Sequence, residues 1–533
     1  MTTEYHPSRR SRKRRFQLSL PSLIILVGLF LISLPLILKG VRVFRLYQNF
    51  QAHLTTVETL QAKGLSSISS GDVMALSSGI RSDTVALIEE AEPLLPLTPY
   101  LGWLPRLGPL MPVAPELLRL ADNGTLMLVE LTQGLAPALD VLAASGDQSL
   151  LDAAPELLDV LDTASPQLKR AEPLYAAIEQ DLNAVLASPE VVEALPWTIR
   201  SQLPTLEPLI PFGGEGLKLA QILPELAARD SRRIYLLIAQ NEDELRPTGG
   251  FISGAGAIGI EDGKLQGMVV EDAYQVDDFL NKPYGFPPDP LFEFLTIELF
   301  LFRDANYWPD FPRSAEKLME LYTYGREVPL DGAIAIDQQF LFDLIELVEP
   351  IAVPELGATL TAQDAQTFIQ QAWAQGDEEG DWRTTRKSFL GPMAAAILEK
   401  LETNFDSIDP IELLNLIEKN TATKSLQIYM NSPEERAILS EIGWDGHINP
   451  PNSSDFLLAL DHNMGTNKVN PLISPELEYS VTLNSDGTGQ GTATSTYTHN
   501  GTDTGEICSP EQVTYIRGLE YIDLINLCYR NYY

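Results

Sequence analysis

Three stretches of this 533-residue chain combine residue types that handle anions and sugars. The first is Asn241-Glu242-Asp243-Glu244-Leu245-Arg246-Pro247-Thr248-Gly249-Gly250-Phe251. Arg246 is the basic residue in a run rich in acceptors. Gly249 and Gly250 permit backbone conformations that bring N–H groups close to a ligand. A guanidinium beside such amides suits a phosphate oxygen. The competing reading pairs Arg246 internally with Asp243 or Glu244 to close a tight turn. The second stretch is Arg303-Asp304-Ala305-Asn306-Tyr307-Trp308-Pro309-Asp310-Phe311-Pro312-Arg313. Aromatic faces beside carboxylates hold sugar rings, but they also pack as plain corners. The third is Gly380-Asp381-Trp382-Arg383-Thr384-Thr385-Arg386-Lys387, at the start of a helix. Asp381 can cap that helix, and Arg383 and Arg386 share a face. Cations there oppose the helix dipole, so they call for an anion nearby or form a solvated face. The residues selected for a phosphate or glycan ligand are Asp243, Arg246, Arg303, Asn306, Tyr307, Trp308, Arg383 and Arg386. None is assigned a catalytic role.

Other chemistries find little support. His6, His53, His447, His462 and His499 show no ligand spacing with one another or with cysteine. No metal site and no Ser-His-Asp triad is expected. Cys508 and Cys528 are the only cysteines, a scarcity that suits an exported protein. They are candidates for one local disulfide. The net charge of −36 repels nucleic acid and anionic headgroups, which excludes nucleic-acid binding.

The elements that position these stretches begin with an anchor. Residues 16–38 run without a charge, long enough to cross a hydrocarbon core of ~30 Å. Arg9, Arg10, Arg12, Lys13, Arg14 and Arg15 precede them, and Lys39, Arg42 and Arg45 come after. That asymmetry places residues 1–15 in the cytoplasm as a basic tail and the bulk outside, in a single-pass plasma membrane protein. Residues 41–230 repeat Leu, Val and Ala at helical spacing and read as an extracytoplasmic helical bundle. Its Pro93–Pro115 stretch, holding Trp103, reads as a packed corner.

From residue 232 the pattern changes. Arg233–Gln240 is a buried strand, and Phe251–Ile260 and Leu265–Val270 form a hairpin across Glu261-Asp262-Gly263-Lys264. Gly332–Ile336 is another strand, succeeded by helices near 338–348, 362–375 and 384–403. Residues 232–435 are therefore an α/β domain. Residues 450–533 alternate as a small β domain, with strands at Leu477–Leu483 and Gly491–His499. The chain stops at Arg530-Asn531-Tyr532-Tyr533 inside a strand-like run, as a fragment would. The fold class is multidomain α+β.

Several of these runs resemble a bacterial family known as domain of unknown function 4012. The carrying residues are Asn241–Phe251, Arg303–Pro312, Leu330–Asp337, Gly443–Gly446, and Asp461–Lys468 with Asn463, Gly465 and Asn467. The resemblance implies a membrane-anchored bacterial protein. The order of elements is also similar to that of the LytR–CpsA–Psr phosphotransferases, which move glycopolymers from polyprenyl diphosphate carriers onto peptidoglycan. Asp243 and Arg246 after the first strand resemble that family's Asp and Arg. Arg303–Tyr307 resembles its Lys-x-Asn-x-x-Tyr, with Tyr307 one place early. Asp381–Lys387 resembles its Asp-x-x-Arg-x-x-Arg-Gln helix. The family's Pro-Arg-Asp and Arg-x-Arg are absent, because this chain reads Val269–Ala273 and Ala372–Gln375 there. The likeness implies an α/β/α layered domain with fewer cations facing a diphosphate.

The expectation is thus a membrane-anchored cell-envelope protein that binds a phosphate-bearing or polyprenyl-linked glycan or a cell-wall polymer. As an enzyme it would be a phosphotransferase using Mg²⁺. The alternative is a non-catalytic envelope scaffold or assembly protein.

Overall fold

The computed structural model describes residues 20–63, 68–145, 149–201, 203–206, 210–374, 387–452, 454–501 and 531–532; for 20–38, 61, 63, 205–206, 211, 372–374 and 531–532 it describes the backbone. Residues 1–19 of the expected tail and anchor, Arg383, Arg386, Cys508 and Cys528 lie outside the described residues. The backbone is one continuous helix from Leu20 to Lys63. Among the residues whose side chains are described, no single helix is long and apolar enough to cross a membrane. The described chain is mixed α+β and divides into two compact units, residues 1–139 with 170–210, and 140–169 with 211–533.

The first unit is helical. Its helices include Leu20–Lys63, Ser70–Ala91, Ala114–Leu135 and the later part of Ala154–Leu186. Ser69 caps the second by accepting the Asp72 N–H at 3.2 Å, which satisfies an orphan donor of the first turn. Prolines end regular helix after Ala91: Pro93, Pro96 and Pro99 lie in the 3₁₀ run Glu92–Tyr100. The expected packed corner does not close over Trp103. That side chain is 75 % exposed, because the short 3₁₀ turns offer no apolar face wide enough to cover it.

The second unit is organised by a five-stranded sheet in the order β3-β2-β1-β4-β7. Strands β1 (Arg233–Arg246), β2 (Gly249–Glu261) and β3 (Lys264–Asp272) form an antiparallel meander. Asp262 and Gly263, both at positive φ, turn β2 into β3. Strand β4 (Gly332–Ile336) pairs parallel to β1, and after the short hairpin β5 (Ile351–Val353) and β6 (Ala358–Leu360), β7 (Leu426–Met430) closes the sheet antiparallel to β4.

Alternate residues of these strands feed different cores, as the two-residue strand period requires. Leu236, Ile238, Ile252, Ala333 and Ala335 pack on the helix Phe311–Arg326 through Phe311, Leu318 and Tyr322. Tyr235 and Met430 pack with Ile222, Leu439 and Trp444. A third core joins Ile345 and Val348 to Ile351, Phe389, Met393 and Ile397. The expected helices appear as Gln338–Val348, Ala362–Ala374 and Leu390–Asn404. Toward the C-terminal end β8 (His462–Asn463) pairs with β11 (Asn531–Tyr532), while β9 (Ile473–Leu483) and β10 (Gly489–His499) form a separate ribbon.

Candidate functional site

The Asn241–Phe251 stretch is not a loop between strands. Strand β1 continues to Arg246 and β2 begins at Gly249, so Pro247 and Thr248 make the turn. The ladder breaks its register twice on the way, between Ala239 and Gln240 and between Asn241 and Leu245. Such bulges re-aim side chains. Gly249 sits at φ 140°, and a Cβ on Gly250 would overlap the Asn241 carbonyl. Both positions therefore require glycine.

The turn is held from within. Asn306, 1 % exposed, donates through Nδ2 to Gln240 Oε1 at 3.0 Å, Thr248 Oγ1 at 3.0 Å and the Gly250 carbonyl at 2.8 Å. Gln427 Nε2 donates to the Thr248 carbonyl at 2.7 Å. Arg246 lies beneath the turn and is 4 % exposed. Its guanidinium donates to Glu244 Oε1 at 2.7 Å and to the Asn463 carbonyl at 2.7 Å. Lys468 Nζ reaches the other oxygen of Glu244 at 2.8 Å. Burial by itself would raise the Glu244 carboxyl, but Lys468 and then Arg246 outweigh it and hold it below the usual range. Burial, and secondarily the Arg246 charge, push His462 down to about 2, so it stays neutral.

Cations gather around two aromatic rings next to this knot. Arg246, Lys468 and Lys387 stand 5.4, 4.9 and 5.7 Å from the centre of the Phe251 ring. Lys387 and Arg303 stand 5.4 and 4.3 Å from the centre of Tyr274. The two rings are themselves 6.2 Å apart. A ring face attracts a cation through its quadrupole. Asp272 accepts from Lys387 at 2.9 Å, and Asp304 lies 3.6 Å from Arg303. Arg246 and Lys468 share the single carboxylate of Glu244. Arg303 and Tyr274 are half-buried and form the accessible edge of the cluster.

Lys387 also lines a cavity of about 70 Å³. Its walls are Ala239 and Ile336 from the sheet, with Leu341, Ile369, Phe389 and Met393 from the helices. At its polar end stand Asn241, Asp337 and Gln338, and the buried Gln338 Nε2 has no hydrogen-bond partner among the described residues. Glu242 borders this end. Its carboxylate accepts the Gln338 N–H at 3.0 Å and the Gln339 N–H at 3.2 Å, while Asp337 accepts the Phe340 N–H at 3.0 Å. Burial, then the neighbouring Asp337, push Glu242 up to about 7.

The structure thus joins Arg246 and Arg303 from the sequence-derived set, through Phe251 and Tyr274. Asp243, 5 % exposed, and Asn306 lie inside the fold beside them. Tyr307 and Trp308 stand apart from the cations of that cluster: their rings meet edge to face at 5.6 Å, with His462 beside Tyr307 and Arg313 over Trp308. Lys387, Lys468, Phe251 and Tyr274 were not selected by sequence reasoning. Lys387 stood at the end of the third stretch and Lys468 at the end of Asp461–Lys468, but nothing local tied either to Phe251.

These features define an α+β domain with a buried cationic cluster beside a small apolar cavity. Residues 230–373 match the model of a family described as "Protein of unknown function (DUF4012)", which supports the resemblance read from the motifs in that segment. No curated protein and no solved structure matches the chain.

Proposed function

We propose that the chain is held in a bacterial envelope membrane by residues 16–38, with its N-terminus cytoplasmic, and binds the phosphate of a polyprenyl-linked glycan in its α/β domain. The observation that carries the binding site is the double position of Lys387. It belongs both to the cationic cluster round Phe251 and Tyr274 and to the wall of the apolar cavity. A phosphate at the Arg303–Tyr274 edge would meet Arg303 and Lys387 through charge-assisted bonds. The first carbons of the isoprenyl chain would enter the cavity, whose volume of about 70 Å³ admits no more. The glycan would extend outward from the phosphate. Arg246 acts in this reading by fixing the turn and not by touching the ligand.

A transferase of the LytR–CpsA–Psr kind, within a similarly layered α/β/α domain, would in addition pass the glycan to a cell-wall acceptor. Among the described residues no three His, Cys, Asp or Glu side chains converge as a metal centre. The second reading is a non-catalytic scaffold. It is favoured by one observation: Arg246 is closed in by Glu244 and two backbone carbonyls, which is how a structural arginine is built.

The test is native mass spectrometry of the full chain in detergent with undecaprenyl phosphate. Wild type should retain the lipid. Leu341→Trp, which fills the cavity, should lower occupancy by about tenfold, a change of roughly 1.4 kcal/mol, with an unchanged melting temperature. A wild-type chain that retains none leaves the scaffold reading standing.

A further inference from the structure

The helices of the first unit alternate in direction, and their contacts fix which ends lie together. Lys39 and Arg42 stand 2.7 and 2.8 Å from Glu90, while His53 stands 2.9 Å from Asp83, so Ser70–Ala91 runs antiparallel to Leu20–Lys63. Arg81 meets Asp122 at 2.6 Å and Ser77 meets Thr132 at 2.8 Å, so Ala114–Leu135 runs back again. Glu130 meets Arg170 at 2.9 Å and Arg119 meets Asp181 at 2.6 Å, which reverses the direction once more. The connection 92–113 and the segment 187–201 therefore both lie at the end where Lys39 and Arg42 sit. The turn Gly108–Leu110 packs against Pro189–Ala194 there.

This end carries the unit's most exposed aromatic side chains among the described residues. Tyr100, Trp103 and Trp197 are 77 %, 75 % and 72 % exposed, with Leu94, Leu97 and Ile199 also exposed. Leaving such a group in water forfeits the burial that usually accompanies large apolar side chains, and a patch of this kind marks an interaction surface. Its position says which. The uncharged run 16–38 leads directly into Lys39, and the helix through Leu20–Lys63 is unbroken. At 1.5 Å of rise per residue, Lys39 and Arg42 mark the boundary of the span. Trp and Tyr prefer that depth, where the ring is apolar on one side and wet on the other. Arg106 and Arg200 flank the patch in sequence.

We propose that this end face, led by Tyr100, Trp103 and Trp197, is seated in the headgroup layer of the same membrane that residues 16–38 cross. The inference rests on the membrane reading above and adds a second attachment to it. The helical unit then meets the bilayer through a surface and not through one helix alone. Its angle to the membrane is thereby set.

The experiment uses the full chain in nanodiscs of phosphatidylcholine and phosphatidylglycerol, brominated near the headgroup end of the acyl chains. Wild-type tryptophan emission should be quenched relative to unbrominated discs. The variant Trp103→Ser with Trp197→Ser removes both tryptophans of the first unit and should lose most of that quenching; the other four, Trp308, Trp373, Trp382 and Trp444, belong to the second unit. Co-migration of the chain with the discs is read from the same sample. Equal quenching in wild type and variant, with co-migration intact, overturns the end-face proposal and leaves the anchor standing. Failure to co-migrate removes the anchor and the end-face proposal together.

Discussion

Glu244 Oε2 and Lys468 Nζ lie 2.8 Å apart although 224 residues separate them in the chain. Both side chains are 8 % exposed, and Arg246 occupies the other Glu244 oxygen. Removing the shared carboxylate leaves two buried cations unanswered. Glu244→Gln should cost about 3–5 kcal/mol in chemical denaturation. Adding Lys468→Met to that variant should recover part of the loss. A stability cost below about 1 kcal/mol would show the cluster to be open to water.

Arg246→Ala separates positioning from ligand contact. It should destabilise by about 1–3 kcal/mol, because the Asn463 carbonyl loses a donor and Glu244 keeps Lys468 alone. At a temperature where the variant is still folded, its affinity for undecaprenyl phosphate should fall less than that of Arg303→Ala. Native mass spectrometry of both variants makes the comparison. The reverse order would restore Arg246 to the ligand.

Asn306→Ala removes an amide whose two N–H groups serve three acceptors at one buried point. The Gly250 carbonyl then has no side-chain donor from that direction. A loss of about 2–3 kcal/mol is expected, read as a lower denaturant midpoint with an unchanged slope. Gly250→Ala should be worse, since its methyl group meets the Asn241 backbone itself. That variant should fail to give soluble folded protein.

Glu242 supplies a pH dependence with a definite sign. Its carboxyl titrates at about 7 in the folded chain against 4.5 when unfolded. The folded state therefore holds the proton more tightly. Stability is fully present below pH 4.5 and is lost as pH rises through 7, by on the order of 3 kcal/mol. Glu242→Gln cannot lose that proton. Its melting temperature should fall less than wild type's between pH 5 and pH 8, and parallel curves would remove Glu242 as the source.

Much of this second unit was legible in the chain, and the exceptions share a cause. The apolar run Arg233–Gln240, the Asp262-Gly263 turn and the helix Gln338–Val348 each announce themselves within a few residues. Asn241–Arg246 does not. A run so polar reads as a turn, yet it is buried strand, because the partners of Glu244 and Arg246 sit at Lys468 and Asn463. Local periodicity carries no information about partners 217 and 224 residues away. Trp103 failed in the opposite sense. Its Pro- and Leu-rich surroundings predict packing, but in the structure they present it outward.

The sheet's strand order also dictates a sequence of events on the ribosome. The meander β1-β2-β3 is complete once Asp272 has emerged, and its pairs close over short loops. Strand β4 docks beside β1 only after Ile336, and β7 only after Met430. Glu244 and Arg246 wait longer still, for Lys468 and Asn463. Until then the nascent meander carries an open β1 edge and an ion pair without its later partners, features that a chaperone would encounter first.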